Sequence, residues 1–381
     1  MSENKMGYRG SKSDFESVKE QRVDGSWCKK PLHLRCTLMG FERNYQIKIP
    51  SNQLNKNKQS YSTLSKTGLN NQLNLWFITG FADAEGCFSF AIKPDAKSKL
   101  KWRTSPLFVI KLHIKDIAIL ELIKNTLKVG KIRTNGINSV QYVVESIQEL
   151  QVIVNHFDNY PLVTEKASDY LIFRQCFEII KQREHLTEKG LLNLISLKSS
   201  LNWGLSESLK DAFPNVACVS RPEFKFKGIP DPFWVAGFTS GDGSFHLNIK
   251  KSDTSHRVSL RFSINLNIRD AEVLKGLVTY CAARLETNLG RKAAVKVMHN
   301  QENQHVSKFN DTVTLAITKT SELIEVIIPF FEKYPVQGLK SLDFSDFKKV
   351  AMMIDAKEHL TIEGLNRILE IKLNMNKHRE W

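Results

Sequence analysis

From Leu73 onward the apolar positions fall into a succession of periods. Leu75 to Ala84 is apolar at helical spacing, residues 88 to 92 and 107 to 114 alternate with period two, and residues 116 to 130 form an amphipathic stretch closing on Gly130. The pattern predicts an α+β unit of order α-β-β-α-β-β-α, with an antiparallel sheet that leaves one face to solvent. Residues 1–70 show no sustained periodicity. Their stretch SNQLNKNKQSYSTLSKTGLNN is polar and poor in large apolar residues, so a largely disordered leader is expected there.

The pattern then occurs again. LWFITGFADAEGCFSFAI from Leu75 matches FWVAGFTSGDGSFHLNI from Phe233, which sets Gly80 on Gly237 at an offset of 157. YPLVTEKASDY from Tyr160 matches YPVQGLKSLDF from Tyr334, and EHLTEKGL from Glu184 matches EHLTIEGL from Glu358, both at an offset of 174. Lys198 and Asn202 return as Lys372 and Asn376. Ordered recurrence on this scale indicates duplication. The growth of the offset places an insertion in the second copy, around 284–310. The expected organisation is a leader (1–70), a first repeat (71–204), a linker containing prolines and Gly228 (205–230), and a second repeat (231–381).

Charge narrows the class of partner. Lys and Arg number 55 against 40 Asp and Glu, a net charge of +15, which suits a polyanion. The six cysteines (Cys28, Cys36, Cys87, Cys176, Cys218, Cys281) have no metal-ligand spacing and imply neither a zinc site nor a disulfide framework. No apolar run approaches the ~20 residues that span a bilayer, so no membrane partner is expected. Glu3, Asp14, Glu16 and Glu20 argue against a signal or transit peptide at the start.

Each copy carries small residues four apart on its first helix, Gly80 with Ala84 and Gly237 with Gly241, a stripe that lets two helix backbones meet. Each helix ends on an acid followed by glycine, Glu85-Gly86 and Asp242-Gly243. A carboxylate at a helix C-terminus faces the negative end of the dipole, and two such helices side by side bring like charges together. A divalent cation resolves the conflict, with the carbonyls of Ala84 and Gly241 as supplementary oxygen ligands.

FITGFADAEG and VAGFTSGDG resemble the two motifs of LAGLIDADG homing endonucleases, and the likeness extends through the YP and EHLT elements over about 300 residues. It is nearest to the monomeric two-repeat enzymes encoded in fungal mitochondrial introns. The resemblance implies two pseudo-symmetric repeats with helices at a central interface and a mitochondrial, monomeric protein. It further implies cutting of both strands of a duplex DNA site across the minor groove to leave 3′ overhangs, with Mg²⁺ or Mn²⁺ held by Glu85 and Asp242. Asp242 is shorter than the Glu that many members carry there, and Asp83, opposite Ser240, reads as helix-terminal.

Period two also predicts a DNA-facing surface. Phe88, Phe90 and Ile92 turn inward in the first copy, as do Phe245, Leu247 and Ile249 in the second. That leaves Cys87, Ser89, Ala91 and Lys93, with Val109, Lys111 and His113, on the open face of one sheet. Ser244, His246, Asn248 and Lys250, with Arg261, Ser263, Asn265 and Asn267, occupy the other. Arg, Lys, Asn and His bond base edges in the major groove. Strands of about 8 to 10 residues cover about 8 to 10 base pairs each, hence a site of about 20. The second face is richer in hydrogen-bonding groups and is expected to read its half-site more stringently. Two other readings remain at this point, an RNA maturase that binds its host intron and a catalytically silent DNA-binding protein.

Overall fold

The computed structural model describes residues 72–202, 204–251, 256–283, 306–309 and 311–376. The expected leader and most of the expected insertion lie outside them. In the first copy, helix α1 (Leu75–Glu85) runs directly into strand β1 (Gly86–Pro94), followed by β2 (Trp102–His113), α2 (Ile117–Leu127), β3 (Lys131–Thr134) and β4 (Ser139–Val144). The sheet is antiparallel in the order β1-β2-β4-β3. Three helices then follow, α3 (Ile147–Asn159), α4 (Lys166–Lys181) and α5 (Glu188–Ser199), the closing helices that the order α-β-β-α-β-β-α writes as its last α. The short helix α6 (Glu207–Ala212) lies in the linker.

The second copy repeats the plan with α7 (Pro232–Asp242), β5 (Gly243–Lys251), β6 (His256–Asn267), α8 (Ala271–Ala283), β7 (Val306–Phe309) and β8 (Thr312–Ile317). Its sheet has the matching order β5-β6-β8-β7. It closes with α9 (Ile328–Lys333), α10 (Leu339–Asp355) and α11 (Ile362–Leu373).

Local chemistry starts and stops these helices. The Asn74 side chain accepts from the Trp76 N–H and Asp231 from the Phe233 N–H, both at 2.8 Å, and Pro232 sits at the first turn of α7 where its missing N–H is harmless. Thr187 and Thr361 cap α5 and α11 in the same manner, accepting from Gly190 and Gly364. The predicted stop at Gly130 falls two residues earlier. Lys128 takes the left-handed conformation that ends α2 (φ 62), while Gly130 (φ 83) lies so close to the Tyr142 ring that a Cβ would come within 2.5 Å of it.

Helices α1 and α7 lack a polar face because they are covered on every side, each lying between its partner and a sheet. Phe77 to Ala84 and Trp234 to Ser240 are buried throughout. Each repeat has its own apolar core, and the two interlock at the helix pair. Ala236 belongs to the first repeat's core, and Ala84 and Val163 to the second's.

Candidate active site

The crossing of α1 and α7 fixes the site. A Cβ added at Gly80 would lie 2.0 Å from the Trp234 carbonyl oxygen, and one at Gly237 would lie 2.0 Å from that of Phe77. The backbones are in contact, and only hydrogen fits between them. Towards the helix ends, a Cβ at Gly241 would meet the Ala84 Cβ at 2.4 Å, the Glu85 Cγ at 3.1 Å and the Glu85 Oε1 at 3.5 Å. The Glu85 carboxyl therefore lies across the other helix, one residue before Asp242. Both acids are partly exposed.

Two lysines close over the same ends. The Lys166 ammonium donates to the carbonyls of Ala82 (3.2 Å), Ala84 (3.3 Å) and Gly86 (2.6 Å), and Lys340 donates to the carbonyl of Gly241 (2.7 Å). The carbonyls expected as supplementary metal ligands thus each accept from an ammonium. An oxygen has a second lone pair, so that contact does not exhaust it. Among the described residues no group of three or more His, Cys, Asp or Glu is gathered. The donors at the helix ends are two carboxylates and backbone oxygens. That set fits a hard divalent cation whose shell is completed by water and phosphate oxygens. Burial lowers the pKa of Lys340, and the carboxylates of Glu85, Asp242, Asp116 and Asp343 pull it back up. Neither lysine was among the candidates drawn from the sequence. The signal was present, since both hold the same place in the YP element, 174 residues apart.

Asp83, in the last turn of α1, is a buried tie. Its carboxylate accepts from the N–H groups of Val163 (2.9 Å) and Thr164 (3.2 Å), the Thr164 hydroxyl (2.6 Å) and the Trp234 indole (2.7 Å). Desolvation raises its pKa to about 6 against the pull of those donors and of Lys166. Ser240, opposite, accepts from the Gln337 N–H (3.0 Å) and donates to the Ala236 carbonyl (2.7 Å). Both residues therefore hold the turn that leads into a lysine-bearing helix.

The sheets extend outward from the helix ends. In the first, Cys87, Ser89, Ala91 and Lys93 stand opposite Val109, Leu107, Ser105 and Arg103, and Lys111 and His113 stand opposite Gln141 and Ser139. In the second, Ser244, His246, Asn248 and Lys250 stand opposite Ser263, Arg261, Ser259 and Arg257, and Asn265 and Asn267 opposite Thr314 and Thr312. Lys93, His113, His246, Lys250 and Arg261 are exposed. Two expected positions depart from this, for Cys87 and Ser263 are each only 6% exposed. Both lie near the helix ends, where the strands enter the packed interior. The Asn265 side-chain amide oxygen accepts from the Thr314 hydroxyl at 2.6 Å. Arg103, Ser105, Gln141 and Arg257 share the faces by register and were not singled out from the sequence, because period two gives parity along a strand and not the identity of its neighbour. β2 and β6 run 12 residues, longer than expected, while β1 and β5 run 9.

No disulfide joins the described cysteines Cys87, Cys176, Cys218 and Cys281, and no described helix is long and apolar enough to cross a membrane.

A family model described as LAGLIDADG endonuclease matches residues 78–177 and 235–351. "Probable intron-encoded endonuclease 3" of Neurospora crassa is 35% identical, covering 97% of this chain and 69% of the relative. "Probable intron-encoded endonuclease 2" of the same organism is 37% identical over 79% of this chain and 64% of the relative. The chain thus spans about two thirds of the length of these curated relatives. Among solved structures, the LAGLIDADG meganuclease I-CpaMI bound to uncleaved DNA is 45% identical with a TM-score of 0.72, covering 80% of this chain and 100% of that one. The I-SmaMI homing endonuclease bound to cleaved DNA is 37% identical with a TM-score of 0.74, covering 82% and 100%.

Proposed function

The chain belongs to the LAGLIDADG endonuclease family, and on that premise we propose that it is a monomeric homing endonuclease that hydrolyses both strands of one long duplex DNA site. The observation that carries the reading is the meeting of two acids at the ends of two helices in backbone contact, with Glu85 lying over Gly241. A binding protein gains nothing from that repulsion, whereas phosphodiester hydrolysis uses it. A divalent cation held by Glu85 and Asp242, with Mg²⁺ or Mn²⁺ as the proposed ions, supplies charge neutralisation and Lewis acidity beside the scissile phosphates.

The protein's own groups do the rest. Lys166 and Lys340 place positive charge beside each acid, which offsets the repulsion and favours the anionic charge that builds on phosphorus. The two sheet faces grip the flanking duplex. Lys93, Lys111, His113, Lys250, Arg261, Asn248 and Asn267 are the groups proposed to read bases or hold phosphates. Strands of 9 and 12 residues match a total site of about 20 base pairs at ~3.3 Å per residue. The relatives described as intron-encoded endonucleases of a fungus support an intron reading frame acting in the mitochondrion.

The test is a linear duplex library with a randomised window of about 22 base pairs, incubated with Mg²⁺, with Mn²⁺ and with Ca²⁺, followed by capture of new ends. New ends with 3′ overhangs are expected in Mg²⁺ or Mn²⁺, and Glu85→Gln is expected to lose at least about 100-fold in rate, the cost of removing a group that acts on the reacting charge. Retention of library DNA without new ends would return the catalytically silent reading instead.

A further inference from the structure

The residues that precede the lysine-bearing helices give them little: Gly338 before α10 has no side chain, Glu165 before α4 makes no cap bond, and the Thr164 hydroxyl accepts from the Lys166 N–H at 3.3 Å. A further acceptor for each start comes from the opposite repeat. Asp116 Oδ1 accepts from the Leu339 N–H at 2.9 Å across 223 residues of sequence, and Asp270 Oδ1 accepts from the Glu165 N–H at 2.8 Å across 105.

The two contacts are equivalents. Asp116 and Asp270 end matching 3₁₀ turns, Ile114–Asp116 and Ile268–Asp270, and Glu165 and Leu339 are the residues just before Lys166 and Lys340. Asp116 stands at the start of its own helix α2 yet makes no cap bond to it. The fit on α10 is close, since a Cβ at Gly338 (φ 70) would come within 2.7 Å of Asp116 Oδ1. Aspartate at a helix N-terminus also complements the dipole.

Resting on the endonuclease reading, we propose that Asp116 and Asp270 are positioning residues, each holding from its own repeat the active-site lysine of the other, so that each governs cleavage of one DNA strand. Lys340 reaches the end of α7 and Lys166 the end of α1. A small shift of either helix start moves its ammonium away from the end of one motif helix and leaves the other ammonium in place. The arrangement also couples the halves, because each lysine-bearing helix starts on a carboxylate of the partner repeat as well as on Asp83 or Ser240 of its own.

The probe is a supercoiled plasmid carrying a site recovered from the randomised library, cut in Mg²⁺, with nicked and linear products and the nicked strand resolved on denaturing gels. Asp116→Ala and Asp270→Ala are each expected to accumulate nicked plasmid, slowing one strand about tenfold or more relative to the other, in opposite strands for the two variants. Asp116→Asn and Asp270→Asn, which keep the acceptor oxygen, are expected to restore balanced cleavage. Binding of the uncut site in Ca²⁺ is expected to stay within about twofold of the parent, because neither Asp116 nor Asp270 is among the groups proposed to touch DNA. Should an alanine variant not fold, Asp116→Glu or Asp270→Glu displaces the acceptor by one methylene and is expected to give the same strand bias. Equal slowing of both strands, an unchanged strand ratio, or bias in the same strand for both sites overturns the proposal. Absence of cleavage by the parent protein overturns the endonuclease reading instead.

Discussion

Asp83 and His156 are buried ionisable groups with opposite pH behaviour. Thr79 donates its hydroxyl hydrogen to the Tyr160 carbonyl (3.0 Å), so at the 3.1 Å contact the His156 Nε2 must carry a proton and donate to Thr79. Burial lowers the imidazole pKa to about 4. Its unfolded value is near 6.5, so the unfolded chain takes up the proton first, and stability from this group is lost as pH falls from about 6.5 to about 4. Asp83, raised to about 6, works the other way, its contribution falling as pH rises from about 4 to about 6. The difference in unfolding free energy between the parent and His156→Gln should therefore shrink as pH is lowered from 7 to 5, read from urea midpoints. A constant difference would contradict the buried neutral imidazole. Asp83→Ala should cost about 3 kcal/mol or more at pH 7, because it leaves several donors buried without an acceptor, and a loss below about 1 kcal/mol would show that water replaces the carboxylate.

At the scale of elements, the α1–α7 pair decides both the packing of the two repeats and where Glu85 and Asp242 meet. The helices pack through glycine against carbonyl oxygen, a contact with no room for a methyl group. Gly237→Ala should destabilise by about 2 kcal/mol or more, beyond the modest gain in helix propensity that alanine brings. Circular dichroism during chemical unfolding measures it, and a neutral or stabilising result would mean that the helices separate without cost. The same close packing explains why the acids meet, since helices held apart by larger side chains would not bring Glu85 over Gly241. The α-β-β-α-β-β order was legible from period alone. The last closing helix of each copy is marked in the sequence by its cap, since Thr187 and Thr361 read as N-caps and accept from Gly190 and Gly364, whereas the turns before it at Arg183 and Lys357, non-glycine residues in left-handed conformation (φ 62 and 61), give no signal in composition.

For the whole molecule, the two sheets differ in chemistry though not in plan. The second presents His246, Asn248, Lys250 and Arg261 along paired strands, where the first has Ser89, Ala91 and Val109 at its centre. Degenerate half-site libraries should therefore show stricter base preference on the side bound by the second repeat, each mismatch there costing about 1 to 3 kcal/mol. Equal tolerance on both sides would overturn the assignment. The duplicated plan also makes the linker structural. Arg221 pairs with Asp169 at 2.7 Å and donates to the Glu165 carbonyl at 3.2 Å, so the connection is fastened to the first repeat beside Lys166.

Local patterning by itself determined the repeat, the strand parity and the two acids. Periodicity follows from the rise and turn of one element, and duplication from comparison along one dimension. Only the tertiary structure decided that Lys166 and Lys340 close over the helix ends, that Asp116 and Asp270 cap helices of the opposite repeat, and that Cys87 and Ser263 are withdrawn from the open faces. Those facts depend on how rigid elements rotate against one another. A hydrogen bond between residues 223 apart is fixed by that packing, and no period in the chain encodes it.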